Sequence, residues 1–228
     1  RKPNQYNHWI VEREPLEQAG WRVAPFVNDF RASAQGIVAL DAAGLTALRP
    51  GLPAPDQPRA LLGPGTGLGL AYIMPAAQGS HVQETYGGHM LAASYTAEQA
   101  DILGIIAGLK QNDKAVVYEN VASGSGLSYL YRAVCQQQGV KSACESAEEI
   151  LATEDDASRI ALRLFHEFLG LFAHHALITG HAFGGLYLDG GMLQRLQDAK
   201  RWDAAAFLGA FDRPLLPVVR ESAAHTPV

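Results

Sequence analysis

The sequence has little of several features that mark particular classes of protein. Its only cysteines are Cys135 and Cys144, with no CxxC pair or histidine-ligand spacing, so two free thiols in a cytosolic protein are the simplest interpretation. Basic residues are not in excess, because 18 Lys and Arg face 23 Asp and Glu. This balance argues against nucleic acid or an anionic membrane as a partner. There is no apolar run long enough to span a bilayer and no signal-peptide pattern.

Glycine, by contrast, recurs at every second position around Thr66, between two apolar runs that favour strands. The four glycines are Gly63, Gly65, Gly67 and Gly69. Glycine lets a ligand approach the main chain, so successive N–H groups of this hairpin could hold a phosphate, with the Thr66 hydroxyl as a further donor. A tight structural turn is the equally good alternative. The spacing disfavours a Rossmann fingerprint, and the lack of a following Lys-Ser or Lys-Thr pair excludes a Walker loop.

The remaining pattern alternates strands and helices, which indicates an α/β protein. The expected strands are 21–27, 183–188 and a last one at 215–220. The expected helices are 30–37, an amphipathic helix at 96–111, one after the glycine turn 123–126, one opened by a capping box at 146–149, a long one at 155–179 stopped by Gly180, and one opening at Met192. The chain starts at Arg1 and ends in turn-like residues with no closing helix. We therefore expect both ends to continue in a longer polypeptide.

Several ionisable residues sit beside turns and have two interpretations each. Asp29 either caps the following helix or, at the end of a strand, accepts a proton from a substrate hydroxyl. Glu119, next to a Gly-Ser turn, is either a solvated strand end or an acceptor that faces a ligand. The histidines of the long helix, His166, His174 and His175, are interpreted as polar residues of the helix face and not as metal ligands.

Four segments, taken in order, resemble one family, the bacterial glucokinases, which are hexose kinases of the actin-like ATPase (ribonuclease H-like) fold. The segments are Phe26-Val27-Asn28-Asp29-Phe30, the hairpin 63–69, Gly87-Gly88-His89 together with Glu119 and the turn 123–126, and Phe183-Gly184-Gly185 through Asp189-Gly190-Gly191. The resemblance implies a mixed β-sheet flanked by helices. It also implies that residues 1–40 are the remainder of a small domain, whose amino-terminal part is absent, and that 41–228 form the large domain.

The resemblance implies a role for each matching residue. Asp29 is the general base toward the primary hydroxyl of the sugar, and Asn28, Asp29, Tyr86, His89 and Glu119 bind the sugar. The turn residues Gly65, Thr66 and Gly67 hold the phosphates of ATP, and Gly190 and Gly191 lie against the adenosine. The implied function is ATP-dependent phosphorylation of a hexose, most simply glucose to glucose 6-phosphate, with ATP and Mg²⁺ as cofactors, no protein-bound metal, a homodimer and a cytoplasmic location.

Two departures from the family pattern keep other functions open. The family has a sugar-binding Glu directly before Gly-Gly-His, where this chain has Tyr86; the nearest carboxylate is Glu84. The family's first phosphate loop, of Asp-Gly-Gly-Thr type, does not occur in these 228 residues. The alternatives are a kinase-like protein without catalysis that binds a sugar or a protein partner, and a dimer-forming scaffold that binds no ligand.

Overall fold

The structure, a computed structural model, describes residues 2–3, 10–24, 26–40, 44–52, 54–110, 115–213 and 216–228. Its strands are β1 (Lys2–Pro3), β2 (Ile10–Val11), β3 (Arg59–Pro64), β4 (Leu68–Ala76), β5 (Gly79–Thr85) and β6 (Gly185–Leu188). Its helices are α1 (Arg13–Gln18), α2 (Asp29–Ala39), α3 (Ala97–Leu109), α4 (Gly124–Gln138), α5 (Ala147–Ala152), α6 (Asp156–Gly180), α7 (Gly191–Asp198), α8 (Ala204–Asp212) and α9 (Pro217–His225). Short 3₁₀ turns cover Gly87–His89 and Tyr118–Asn120.

A mixed four-stranded sheet in the order β5-β4-β3-β6 carries the site. β3 pairs antiparallel with β4 and parallel with β6, and β4 pairs antiparallel with β5. The register sets Leu62 opposite Leu70 and Gly63 opposite Gly69, so the predicted glycine hairpin is confirmed. β5 was not predicted, because its residues are mostly polar and six of its seven are exposed or half-buried.

The two faces of this sheet are covered by unequal layers. Successive strand residues point to opposite faces. On β3, Ala60 and Leu62 therefore belong to the large core shared with the helices α3, α4, α6 and α8, whereas Leu61 belongs to a small cluster under α2. The small cluster contains Ala34 of α2 as well as Ala71 and Ile73 of β4. It fixes α2, with Asp29 at its start, on the hairpin face of the sheet.

Helix α6 is the centre of the large core, and it buries 16 of its 25 residues. The predicted stop at Gly180 is wrong, since Gly180 is the last helical residue and His181 adopts the left-handed conformation that ends the helix, with φ 50°. Gly180 has a packing role, because a Cβ there would lie 2.0 Å from the ring of Tyr72. Within the described part of the chain, no helix combines the length and apolarity needed to cross a bilayer.

The predicted helices at 30–37, 96–111 and 155–179 are confirmed, and so are the capping boxes that open α3 and α5. The strand predicted at 21–27 is wrong, because the described residues there have irregular backbone and Trp21 is 69% exposed. A strand needs a neighbour to satisfy its backbone groups, and no described strand lies beside this segment. An apolar run alone therefore gave the wrong prediction.

The strand predicted at 215–220 is also wrong, although Leu215 lies outside the described residues. Residues from Pro217 onward form α9, so the expectation that the chain has no closing helix is wrong as well. Proline at the first helical position has its φ already set for the helix and needs no hydrogen bond from its nitrogen. The proline was interpreted as the interruption of an edge strand, whereas it marks the start of a helix.

Candidate active site

The glycines of the β3–β4 hairpin have different neighbours. A Cβ on Gly63 would lie 2.1 Å from the ring of Phe30, and one on Gly69 would lie 2.8 Å from the same ring. These two glycines let α2 lie directly on the hairpin. Around Gly65 nothing lies within 4 Å of such a Cβ, so the tip alone is open. The prediction that the glycines expose the backbone to a ligand therefore fits the tip and not the stem.

The backbone at the tip presents free N–H groups. The Gly65 N–H is already bonded to the Gly67 carbonyl at 2.9 Å, and the Gly65 carbonyl accepts from the Gly124 N–H at 2.8 Å. Among the described residues, the N–H groups of Thr66 and Gly67 find no acceptor. Thr66 is exposed, and the N-terminus of the 15-residue helix α4 abuts the tip. Free N–H groups beside a helix N-terminus form a favourable site for an anion.

Asn28 and Asp29 stand at the start of α2, above the hairpin. Asn28, and not Asp29, is the N-cap of α2, since its side-chain oxygen accepts from the N–H of Phe30 at 2.9 Å and of Arg31 at 3.3 Å. The capping oxygen is thus committed, while the amide nitrogen of Asn28 has no acceptor among the described residues and can donate to a ligand. Asp29 is the first helical residue and is exposed; one of its oxygens accepts from the Phe30 N–H at 2.8 Å. The other oxygen is available to a ligand.

The 3₁₀ turn Gly87–His89 packs against the start of β4. A Cβ on Gly88 would lie 2.1 Å from the Leu68 carbonyl oxygen, and one on Gly87 would lie 2.4 Å from the Leu70 side chain. The close approach that these glycines permit holds exposed His89 beside the hairpin. Tyr86 precedes the turn, is 89% exposed, and meets the His89 ring edge-on with ring centres 6.3 Å apart.

Glu119 reaches the hairpin from the second 3₁₀ turn. Its Oε2 accepts from the Leu68 N–H at 3.0 Å, and a Cβ on Gly67 would lie 2.6 Å from that same oxygen. The side chain is half-buried. The preceding residue, Tyr118, is buried, which raises its pKa to about 12, and its hydroxyl lies 2.9 Å from Nδ1 of His175. Glu119 is therefore an ordered carboxylate next to the tip, with its second oxygen still uncommitted.

The turn between β6 and α7 completes the site from the other side of the hairpin. The Asp189 N–H donates to the Leu62 carbonyl at 2.9 Å, which carries the strand pairing to its end. Gly190 has φ 153°, and a Cβ there would lie 2.4 Å from the Pro64 carbonyl oxygen, so both conformation and space require glycine. Gly191 is open to solvent and starts α7.

All ten residues that the sequence predicts for the site line one cavity of about 650 Å³, which we call the first cavity. They are Asn28, Asp29, Gly65, Thr66, Gly67, Tyr86, His89, Glu119, Gly190 and Gly191. A second cavity of about 800 Å³ opens beside α4, α5 and α7. The two cavities share Gly65, Thr66, Glu119 and Gly191 as lining residues. The hairpin tip thus lies between the first and second cavities, and each cavity is large enough for a small ligand.

Sequence reasoning missed some residues of both cavities. In the first cavity the structure adds Glu84, Ser33 and Asp189; in the second it adds Ser125, Ser128, Tyr129, Arg132, Glu145, Glu148, Met192 and Arg195. The signal for Ser125 was present, since it belongs to the Gly-Ser turn that opens α4. Arg132 and Arg195 lie far apart in the chain, and only the fold brings them to the second cavity. Glu84 had a signal, since it lies two residues before the predicted Tyr86.

The histidines of α6 are not on a polar face, so that interpretation is wrong. His166 is 1% exposed and His174 is 8% exposed. His166 has both ring nitrogens engaged, because Nδ1 lies 2.6 Å from the Leu162 carbonyl and Nε2 accepts from the Asp203 N–H at 3.2 Å. Burial lowers the pKa of all three, and for His174 the neighbouring His175 lowers it further. His166 and His174 are core residues, although Nδ1 of His174 has no hydrogen-bond partner among the described residues, and half-buried His175 is bonded to the Tyr118 hydroxyl.

Comparison with solved structures identifies the class of protein. A glucokinase from an Antarctic psychrotroph, 29% identical, superposes with a TM-score of 0.78 over 89% of this chain and 62% of that chain. A ROK family glucokinase from Streptomyces griseus, 16% identical, shares the fold with a TM-score of 0.57 over 91% of this chain and 64% of that chain. The mixed sheet flanked by helices is thus the actin-like ATPase fold of sugar kinases, as predicted.

The chain belongs to the glucokinase family. The family model described as Glucokinase matches residues 4–214. A glucokinase of Marinobacter nauticus is 34% identical over 197 residues, which make up 84% of this chain and 60% of the relative. The predicted family is confirmed. The chain spans about 60% of the length of the curated relatives it matches.

Proposed function

We propose that the protein phosphorylates a hexose with ATP, most simply glucose to glucose 6-phosphate. The observation that carries this proposal is that the first and second cavities meet at the hairpin tip, with Asp29 on the first side and the N-terminus of α4 on the second. Phosphoryl transfer needs two substrates aligned across one point and little covalent chemistry from the protein. The tip provides that point.

The first cavity has the donors and acceptors that a sugar requires. Asn28 has a free amide nitrogen, Glu119 has an uncommitted carboxylate oxygen, and His89 is exposed beside them. Sugar hydroxyls both donate and accept hydrogen bonds, and a site built from such groups rejects analogues that leave them unpaired. We assign sugar binding to these three residues together with Asp29 and Tyr86.

Asp29 is proposed as the general base. Asp29 lines the first cavity, and one of its oxygens has no partner among the described residues. An ionised carboxylate can take the proton of the sugar's primary hydroxyl as the hydroxyl oxygen attacks the terminal phosphoryl group. The Phe30 N–H that binds the other oxygen of Asp29 fixes the carboxylate orientation. Because α2 is docked on the hairpin through Phe30, the base keeps a constant position relative to the phosphate side.

The second cavity is assigned to the nucleotide. The free N–H groups of Thr66 and Gly67, the Thr66 hydroxyl and the α4 N-terminus favour phosphate oxygens. The carbonyl of Gly65 is turned toward α4, so Gly65 contributes space and shape to the site. Gly191 lines both cavities and Gly190 lines the first cavity beside it, and with no side chains the two glycines leave room for the adenosine at the start of α7.

Mg²⁺ fits this site as an ion that arrives with the nucleotide. No group of three His, Cys, Asp or Glu side chains that could hold a metal occurs among the described residues. Mg²⁺ commonly binds through one or two carboxylates together with substrate phosphates and water. Glu119 lines both cavities at the tip, but its uncommitted oxygen is assigned to the sugar, so the phosphate oxygens and water would hold the ion, which would neutralise phosphate charge.

The relatives support the substrates. The Streptomyces griseus structure is described as a complex with glucose and AMPPNP, an ATP analogue. The domain division, with 1–40 as the remainder of a small domain and 41–228 as the large one, stays a proposal. The homodimer and the cytoplasmic location stay predictions.

The test is ADP release by the natural polypeptide that contains this chain, coupled to NADH oxidation. Glucose, mannose, fructose and glucosamine are compared with Mg-ATP in excess. We expect turnover above the ATPase background with at least one hexose and the highest kcat/KM with glucose. Glucose binding in calorimetry without turnover on any sugar would support the catalytically inactive alternative, and neither binding nor turnover would support the scaffold.

A further inference from the structure

The carboxylates of the first cavity differ in how strongly the protein already uses them. One oxygen of Asp29 accepts from a backbone N–H, and so does one oxygen of Glu119. The Glu84 carboxylate accepts no hydrogen bond among the described residues, although it lines the same cavity. A cavity-facing carboxylate with its full acceptor capacity is suited to hydroxyl groups.

Arg31 forms a long ion pair with Glu84 at the cavity wall. The Arg31 Nη1 lies 3.7 Å from Oε1 of Glu84, which is too long for a hydrogen bond but close enough for attraction between the charges. The Nε of Arg31 is buried and has no hydrogen-bond partner among the described residues. Arg31 lies two residues after Asp29 on α2, so the contact links the helix of the proposed base to the end of β5.

Tyr86 cannot supply the same chemistry. It lies two residues after Glu84, at the end of the same strand, and also lines the cavity, but it is 89% exposed and ends in a neutral hydroxyl. A phenol accepts hydrogen bonds weakly compared with a carboxylate, which can accept from two neighbouring hydroxyls at once. On this wall of the cavity, Glu84 is thus the group able to bind a pair of sugar hydroxyls.

We propose that Glu84, paired with Arg31, is a specificity-determining residue that accepts hydrogen bonds from sugar hydroxyls in the first cavity. The inference rests on the proposed function and names a further residue of that site. The ligand class is a pyranose with two neighbouring hydroxyls at the wall of the first cavity next to Tyr86. Sugars that lack a hydroxyl at this wall lose the contact.

The experiment compares Glu84→Gln with the wild-type natural polypeptide in the hexose assay and in calorimetric titration with glucose. The amide keeps the size of the side chain and removes its charge. Since a hydrogen bond to a charged group contributes more than a neutral one, we expect the KM for glucose and its Kd to rise roughly 10- to 100-fold. The kcat should change little, because Glu84 does not take the proton.

Two further variants separate this role from a structural one. Glu98→Gln is the matched control, since Glu98 is also a half-exposed carboxylate paired with an arginine, Arg163, at 2.6 Å but lies outside both cavities. It should leave the KM unchanged. In the double variant Glu84→Gln/Tyr86→Glu, a carboxylate returns to the same wall of the cavity. The logarithm of KM should then return at least halfway from the Glu84→Gln value to the wild-type value.

The outcomes distinguish the inference from the proposed function. A wild type that turns over glucose and a Glu84→Gln variant with unchanged KM and Kd overturn the inference alone. A wild type that neither binds nor phosphorylates any hexose overturns both. If the wild type binds glucose without turnover, the proposed function fails, and the change of Kd in Glu84→Gln still decides for or against Glu84.

Discussion

At the scale of single residues, glycines are required where backbone or ring atoms come too close for a side chain. The four glycines of the hairpin were visible in the sequence, but their separate roles were not. Gly63 and Gly69 make room for Phe30, Gly67 makes room for Glu119, and only Gly65 is open. These roles depend on partners that are distant in the chain, so no local pattern could assign them.

Buried His166 predicts a dependence of stability on pH. Burial lowers its pKa in the folded protein below the value near 6.5 of the unfolded chain, while Leu162 and Asp203 partly oppose the shift. The unfolded chain therefore binds the proton first, so the stabilisation is full above about pH 6.5 and is lost as the pH falls below it. His174 and His175 act in the same direction.

Urea unfolding of this protein at pH 7.5 and pH 5.5 measures the effect. We expect a lower urea midpoint at pH 5.5, and a smaller difference between the two pH values in His166→Gln. Exposed His81 on β5 provides the control, because His81→Gln removes an imidazole that is not buried and should keep the full difference. An equal midpoint for the wild type at both pH values would contradict this account.

At the scale of elements, the seating of α2 on the hairpin positions the proposed base. Gly63→Ala forces a Cβ to within 2.1 Å of the Phe30 ring and 2.9 Å of the Asp189 carbonyl oxygen, so the helix or the strand must shift. We expect a loss of roughly 1 to 3 kcal/mol in the free energy of unfolding, the usual cost of overpacking. Gly65→Ala, in open space on the same hairpin, should change it by less than about 0.5 kcal/mol. Equal losses in the two variants would show that the Phe30 contact does not limit the hairpin.

The elements were predictable where local signals and burial agree. The capping boxes of α3 and α5 and the apolar rows of α6 are local, and they gave the helices nearly to the residue. Strands depend on neighbouring strands, so a strand was predicted where none forms and another that forms was not predicted. The described residues of the apolar segment 21–27 lie beside no described strand and are irregular, whereas polar β5 forms because β4 lies next to it.

At the scale of the whole molecule, the fold brings residues from four separate segments to one cavity. The motif order gave the family, and all ten residues that it predicted for the site line the cavity, because glycine turns and strand ends leave a clear sequence pattern. The second cavity was only partly predictable, since Arg132 and Arg195 come from the surfaces of two helices that meet only through the core. The chain spans about 60% of its relatives, so activity is measured on the natural polypeptide.

The central claim, that Asp29 takes the proton of a sugar hydroxyl, is tested most directly by the rate of glucose 6-phosphate formation in Asp29→Asn. Asparagine keeps the shape and the hydrogen bond to Phe30 but cannot accept the proton. We predict that kcat falls roughly 100- to 10,000-fold, the contribution of a positioned base, while the Kd for glucose stays within about tenfold of the wild-type value. A variant with wild-type kcat would contradict the account.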